Sequence, residues 1–404
     1  MNMQEKLKYI DLFAGAGGLS LGLRNAGFKG LFAIEKNKDA FATLKYNLID
    51  REDHFDWPKW LPQTSHDICE LIKNFKQELI ALQGEVDLIV GGPPCQGFSM
   101  AGLRDYKDVR NTMVKHYLKI VEFVRPKYVL FENVHGFTMK FKEDQKKKSY
   151  SQIVINRLKK MGYEVKTEEV LMSDYGVPQK RIRFILVASL NNNVNDFFEQ
   201  LLNNRDSFFK KKNLPMNSTI KEAIGDLLKE NGTYPCPDCN QKFLSGHYGE
   251  ALSLYQSYMR EDVIEKPNSH RFAKHTQEII DLQERMIKTI KPGKRIAPSD
   301  NLLVGLKKRG VTLLNAEGLS PTVTSHPDDF VHYCEPRILT VRELARLQSF
   351  PDKYEFKGKY TTGGKLRKTD VPRYTQVGNA VPPLFAEQVG EIIGGLINES
   401  RITV

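Results

Sequence analysis

Hydrophobic positions along the chain fall in short clusters whose spacing alternates between two periods. KYIDLF (8–13), GLFAIE (30–35), EVDLIVGG (85–92) and KYVLFENV (127–134) are brief, nearly continuous apolar runs and read as buried strands. VKHYLKIVEFVR (114–125) instead sets Val114, Leu118, Val121 and Val124 at helical spacing, and a further helix is expected from Leu19 to about Ala26. YEVKTEEVL (163–171) and RIRFILVAS (181–189) look like a later pair of strands. Strands alternating with helices predict an α/β domain built on a mostly parallel sheet. Ligands in such sheets bind beyond the carboxyl ends of the strands. Gly15, Glu35, Cys95 and Glu132 all fall at such ends.

From about Asn191 to Ser325 the alternation dissolves into polar segments and Asn runs, with one clear helix around HTQEIIDLQERMIKTI (275–290). Residues 191–325 are therefore expected to form a smaller, irregular domain, and residues 1–190 and 326–404 the larger one. TVRELARLQSF (340–350) opens with Thr340 and Glu343 in capping-box spacing. The apolar stretch LFAEQVGEIIGGLI (384–397) is expected to be a final helix that returns to the first domain. No internal repeat is visible, and no apolar run reaches the roughly 18 residues that a membrane-spanning helix needs.

Composition changes this picture little. The 404 residues are 40% hydrophobic and 27% charged, an ordinary globular balance with room for two or three domains. A formal net charge of +11 points to a polyanionic partner. The N-terminal stretch MNMQEKLKYIDLFAG lacks the apolar core of a secretory signal. Cys69, Cys95, Cys236, Cys239 and Cys334 make no disulfide framework and read as reduced thiols, so a cytoplasmic location without membrane attachment is expected. CPDC (236–239) supplies two ligands where structural zinc takes four, so it reads as a proline-bracketed turn and no metal is expected.

The candidate chemistry lies at the strand ends. In DLFAGAGGLSLG (11–22), glycines after a strand let backbone approach a ligand at a helix N-terminus. The dinucleotide pattern Gly-x-Gly-x-x-Gly is met only imperfectly, but Glu35 ends the next strand where a carboxylate accepts ribose hydroxyls, so a nucleoside cofactor is expected. In VDLIVGGPPCQGFS (86–99), Pro93 and Pro94 stiffen the backbone before Cys95, and Gln96-Gly97 release it. A nucleophilic thiolate usually has a histidine beside it, yet the neighbouring strand offers Glu132. An acid there suits a substrate ring that is hydrogen-bonded while sulfur attacks it. The loop QGFSMAGLRDYKDVRN (96–111) carries Gly97 and Gly102 for movement and Ser99, Arg104 and Arg110 for backbone contacts. In the middle region, His270, Arg271, Lys274, Arg295 and Lys307–Arg309 are candidate contacts to bases or phosphates.

DLFAGAGG, GGPPCQGFS, ENV, QKRIR, RELARLQSFP and QVGNAVPP, in this order, resemble the cytosine-C5 DNA methyltransferases over roughly residues 8–190 and 320–400. The resemblance implies an S-adenosylmethionine-dependent, Rossmann-like methyltransferase domain with a variable target-recognition domain between its halves. It implies that Cys95 adds to C6 of a flipped-out cytosine, that Glu132 holds N3 and the exocyclic amine, and that Arg181 and Arg183 contact the base oxygen. Lys180 stands where many members carry Arg. For the cofactor, the resemblance puts Phe13 against the adenine, Ala14, Gly15, Gly17 and Gly18 by the methionine part, and Glu35 on the ribose. Asp67 and Ile68 belong to the adenine end, Asn379 and Ala380 to the methionine end, and Pro94 also borders the cofactor. Gln96, Ser99, Arg104 and Arg110 are the implied DNA contacts. The expected partner is double-stranded DNA, with S-adenosylhomocysteine as product, a companion restriction endonuclease, and a monomeric enzyme. An RNA (tRNA) cytosine-C5 methyltransferase of the same fold and an inactive DNA-binding relative stay open as alternatives. A nicotinamide dehydrogenase fits worst, because hydride transfer has no use for such a cysteine.

Overall fold

In the computed structural model the described residues are 6–94, 112–139, 149–239, 242–261, 263, 265–297, 299–300, 310–362, 366 and 369–402. The chain divides into two compact units, one of Met1–Met172, Ile182–Phe208 and Phe385–Val404, the other of Ser173–Arg181 and Phe209–Leu384.

In the first unit the apolar runs become β1 (Lys8–Leu12), β2 (Lys29–Ile34), β3 (Leu88–Gly91), β4 (Tyr128–Val134) and β5 (Glu164–Leu171). After a short β6 (Gln179–Lys180), β7 (Ile182–Ser189) completes a six-stranded sheet in the order β2-β1-β3-β4-β7-β5. The first four strands in that order run parallel, as expected of continuous apolar runs. β7 is reversed and pairs antiparallel with both β4 and β5. One face is covered by the helix Met113–Val124, whose Val114, Leu118, Val121 and Val124 are buried with Ile10, Leu12, Ile89, Val129 and Phe131. Tyr9 and Asp11 alternate to the opposite face, where Tyr9 Oη meets His54 Nε2 at 2.9 Å and Ser20 Oγ donates to Asp11 Oδ2 at 2.6 Å.

The last helix, Pro383–Ile402, brings its residues from Phe385 onward back to this unit. A Cβ on Gly390 would come within 2.7 Å of Ala26 Cβ, so the absent side chain lets this helix lie close against the end of the helix Gly18–Asn25. Asn193 Nδ2 donates to the Leu396 carbonyl at 3.3 Å and to Ser400 Oγ at 3.2 Å, fixing its far end. Among the described residues no helix is long and apolar enough to cross a membrane.

The second unit is larger than the expected 191–325. It takes in residues up to Leu384 and the separate piece Ser173–Arg181. The reason is a set of buried polar bonds. The helix Val341–Leu347 begins with the anticipated capping box of Thr340 and Glu343, and its fully buried Arg346 pairs with Asp226 and Asp352. Asp226 belongs to the irregular region, so the guanidinium ties the two stretches into one body. β6 is drawn in likewise, pairing in parallel with Ser320–Pro321. The helix Gln277–Thr289 packs Leu282 and Met286 on Ile296, Val311, Leu313 and Val331. A hairpin of β8 (Thr233–Pro235) and β9 (Leu244–Gly246) carries CPDC at its turn, which brings the sulfurs of Cys236 and Cys239 together.

The close packing of β3 on β1 gives a test. A Cβ on Gly91 would press into the Leu12 carbonyl oxygen. Gly91→Ala is therefore expected to cost about 1–3 kcal/mol of stability by forcing the strands apart, measured as a lowered midpoint in chemical denaturation.

Candidate active site

The glycine-rich loop follows from β1. Phe13 adopts φ 62, Gly15 φ 56 and Gly17 φ 85, so the chain turns sharply through left-handed conformations before the helix starting at Gly18. The Ala14 amide donates to the Ile34 carbonyl at 3.0 Å and Gly17 to the Ala14 carbonyl at 2.9 Å, tying the loop to the end of β2. Glu35 follows directly and accepts from the Gly15 amide at 3.0 Å and the Asn37 amide at 2.6 Å. Burial raises the Glu35 pKa, against those two donors, which pull it down. The Glu35 carbonyl accepts from the His66 amide at 2.8 Å, which sets Asp67 and Ile68 beside the same strand end. Asp67 caps the helix Ile68–Asn74 through the Cys69 amide at 2.8 Å and pairs with Lys36 Nζ at 2.8 Å. Burial alone would raise its pKa, but Lys36 and the Cys69 amide hold it below the usual carboxylate value. Thus Phe13, Ala14, Gly15, Gly17, Gly18, Glu35, Asp67 and Ile68 gather at the ends of β1 and β2.

Beneath this loop lies a carboxyl that the sequence reading passed over. Asp11 is fully buried and its Oδ1 has no hydrogen-bond partner; burial pushes its pKa up to about 7, against the Ser20 hydrogen bond and with help from Glu35. The available signal was an acid inside the apolar run KYIDLF.

A second group forms at the ends of β3 and β4. Glu132 is 12% exposed and accepts from Arg183 Nε at 2.9 Å; Arg183 is 12% exposed as well. The pairing follows from register. Arg183 lies opposite Val134 on the antiparallel β4–β7 ladder, which makes Glu132 its diagonal neighbour on the same face. A Cβ on Gly92 would sit 2.7 Å from Glu132 Oε2, so the chain leaving β3 runs directly past the carboxylate. Asn133 Nδ2 donates to the Pro93 carbonyl at 3.2 Å and stitches that departing chain to β4. Gly92 and Asn133 thus join the site although neither was singled out from the sequence. Pro94 follows on the exposed side. Cys95, Gln96, Ser99, Arg104 and Arg110 lie outside the described residues.

Two expectations are corrected. Arg181 does not share the role of Arg183. It is 1% exposed and donates to the carbonyls of Val323 at 3.1 Å, Gly378 at 3.2 Å and Ala380 at 3.2 Å, all within the second unit. Alternation explains the split: successive odd positions stay on one face only within a continuous strand, and β6 ends before Arg181 while β7 begins after it. Arg181 instead brackets Asn379, which is exposed at the end of the helix Arg373–Asn379 while Ala380 is buried. His270 is also withdrawn from any surface, fully buried with Nδ1 2.9 Å from Thr340 Oγ1.

Cys236, Asp238 and Cys239 lie close enough to suggest a metal, but Asp238 accepts from Tyr360 Oη at 3.0 Å and pairs with Arg373.

Residues 7–395 match the family described as C-5 cytosine-specific DNA methylase. The chain is 32% identical over 419 residues to the Type II methyltransferase M.DdeI of Desulfomicrobium norvegicum, spanning 98% of this chain and 92% of that protein. It is likewise 32% identical over 398 residues to the Type II methyltransferase M.PspPI of a Psychrobacter species, spanning 96% of this chain and 79% of that one. A crystal structure described as a DNA modification methyltransferase encoded within an E. coli prophage aligns at TM-score 0.66 and 25% identity, over 97% of this chain and 100% of that one. The Entamoeba histolytica methyltransferase EhMeth, at 15% identity and TM-score 0.53 over 98% and 99% of the two chains, shares the fold.

The chain belongs to the C-5 cytosine-specific DNA methylases. It is a DNA (cytosine-5)-methyltransferase, of the class that takes its methyl group from S-adenosylmethionine. The loop fits such a cofactor: a Cβ at Gly15 would meet nothing within 4 Å, leaving open space over backbone amides, with the Glu35 carboxylate behind it.

The raised carboxyls have a measurable consequence. Folded Asp11 keeps its proton up to about pH 7, whereas the unfolded group releases it near 3.8. Its stabilisation is therefore complete below about pH 4 and is lost as pH rises through 7, and Glu35 adds a slope of the same sign. Asp11→Asn in the cofactor-free protein is expected to flatten this decline. Denaturation series from pH 4 to 8 check it, and an unchanged slope would mean that Asp11 is ionised throughout.

Proposed function

We propose that this chain methylates cytosine in a short duplex DNA sequence through a covalent Cys95–C6 adduct. The observation that carries this reading is the pair Glu132–Arg183 near the carboxyl end of β4, 2.9 Å apart, with Gly92 passing close to the Glu132 carboxylate three residues before Cys95 in the chain. Glu132 is suited to accept from the exocyclic amine of the base and to share a proton with N3, and Arg183 to donate to the exocyclic O2 carbonyl. Withdrawing electron density at N3 makes C6 electrophilic, so the Cys95 sulfur forms a bond to C6 and leaves C5 nucleophilic. S-adenosylmethionine, when bound, supplies an electrophilic methyl carbon. Loss of the C5 proton after methylation restores the ring and expels the Cys95 sulfur.

Gly15, Gly17 and Gly18 would hold the methionine part, Phe13 and Ile68 the adenine and Glu35 the ribose, each Glu35 oxygen keeping a lone pair beyond the amide it accepts. Ala14, Asp67, Pro94, Asn379 and Ala380 complete the proposed cofactor set. A base stacked in a duplex must be turned out, at a few kcal/mol of unstacking; Gln96, Ser99, Arg104 and Arg110 are assigned to that task. The same reading has the chain act in the cytoplasm as a monomer and as the modification partner of a restriction endonuclease.

Cys95→Ser is expected to abolish turnover while DNA and cofactor still bind. Transfer of labelled methyl to duplex DNA and, in parallel, to tRNA checks this. Label in tRNA alone, or undiminished turnover by the variant, would overturn the proposal. Glu35→Ala should raise the KM for S-adenosylmethionine roughly tenfold, as expected for a lost charged hydrogen bond, with little change in DNA affinity measured by gel shift. An equal loss in both would deny Glu35 its place at the ribose.

A further inference from the structure

Two arginines of the second unit stack on the ring of Tyr360, and their hydrogen bonding differs sharply. The Arg373 guanidinium carbon lies 4.2 Å from the ring centroid, and that of Arg271 4.0 Å. Arg373 is buried and two of its nitrogens are engaged: Nε donates to the Gly358 carbonyl at 2.9 Å, and Nη1 donates to Ser269 Oγ at 3.0 Å and is paired with Asp238. Arg271 is half-buried, and among the described residues it has neither a hydrogen bond nor an ion pair. Its Nε is buried without any acceptor. Burial lowers its pKa, and the nearby Tyr374, Tyr360 and Asp238 do not make up the difference.

The local chain explains how it is held. Residues 270–272 run beside β9, with Gly246 donating to the His270 carbonyl at 3.2 Å, Phe272 donating to the Leu244 carbonyl at 2.9 Å, and Ser245 bridged to Arg271. Extended backbone alternates its side chains, so His270 and Phe272 turn into the core and Arg271 turns the other way. There its guanidinium is also 4.2 Å from the Phe243 centroid, held against two aromatic rings. Lys274, in contrast, is exposed and 5.6 Å from the Phe243 centroid, a loose solvated cation.

Stacking fixes the plane of a guanidinium while leaving its N–H edge to find acceptors, and a half-buried donor set without acceptors is costly unless a ligand supplies them. A planar five-donor fork matches the adjacent O6 and N7 acceptors of guanine, whereas a flexible lysine does not. We infer that Arg271 is a specificity-determining residue that reads a guanine of the target sequence through its preorganised guanidinium. The inference rests on the reading of the chain as a DNA methyltransferase, and the same fork would also satisfy a phosphate, so the test separates the two contacts.

The test maps methylated cytosines at base resolution on plasmid DNA treated with wild-type protein, Arg271→Ala and Arg271→Lys, and measures DNA affinity against salt. Both variants are expected to lose roughly 10- to 100-fold in kcat/KM on the wild-type site. Both should also methylate sites that differ from it at one guanine position. Unchanged S-adenosylhomocysteine binding shows that each variant is folded; should the alanine variant fail to fold, the lysine variant keeps the aliphatic stem and charge and carries the test. A loss that is uniform across sequences, with the salt slope reduced by about one in Ala and restored in Lys, would mean a phosphate contact and overturn base reading. Unaltered sites and rates would overturn the inference alone. A wild-type protein that methylates no DNA would overturn the activity itself, and this inference with it.

Discussion

The proposed catalytic site depends on how closely Gly92 passes the Glu132 carboxylate. Parallel pairing sets Gly91 beside Phe131, so the chain leaving β3 must cross the residue that follows on β4. With no side chain at 92 it crosses directly over the acid, and Asn133 then grips the Pro93 carbonyl. The acid and the chain leading to Cys95 are thereby placed by two adjacent contacts between the same two strand ends. Arg183 completes the arrangement from β7, balancing a carboxylate that the surrounding chain has partly withdrawn from water.

The other strand ends follow the same economy with a different outcome. Glu35 is half-buried and fastened by the Gly15 and Asn37 amides, which shape the loop as much as the loop shapes its surroundings. Asp11 is buried without a partner for one oxygen. Both carboxyls lie at or near the carboxyl ends of β1 and β2, and both have pKa values raised by burial. Such departures from a fully satisfied interior are characteristic of sites where stability has yielded to function.

The basic composition is used differently from what a net charge of +11 suggests. Arg181, Arg337, Arg342 and Arg346 are buried and bonded to carbonyls or carboxylates, where they brace the second unit from inside. A buried guanidinium is costly unless its donors are met, and every nitrogen of Arg337, Arg342 and Arg346 meets an acceptor, while Arg181 is bonded through its two terminal nitrogens.

Much of this protein was legible in its residues. The four parallel strands, the helix Met113–Val124 with its buried face, the capping box at Thr340 and the returning helix all rest on local periodicity and local hydrogen bonds, which a sequence displays directly. The strand-end positions of Gly15, Glu35 and Glu132 were equally visible, because continuous apolar runs mark where buried strands stop. Partner choice across the chain was not visible. Whether Arg181 or Arg183 faced Glu132 turned on where one strand ended and the next began. The unit boundary turned on Arg346 reaching Asp226, 120 residues away. That Arg373 is occupied and Arg271 is not depended on which of them Asp238 could reach. Local sequence determines where backbone is extended or helical, but hydrogen-bond and charge satisfaction are set between distant segments, and only the folded chain brings those together.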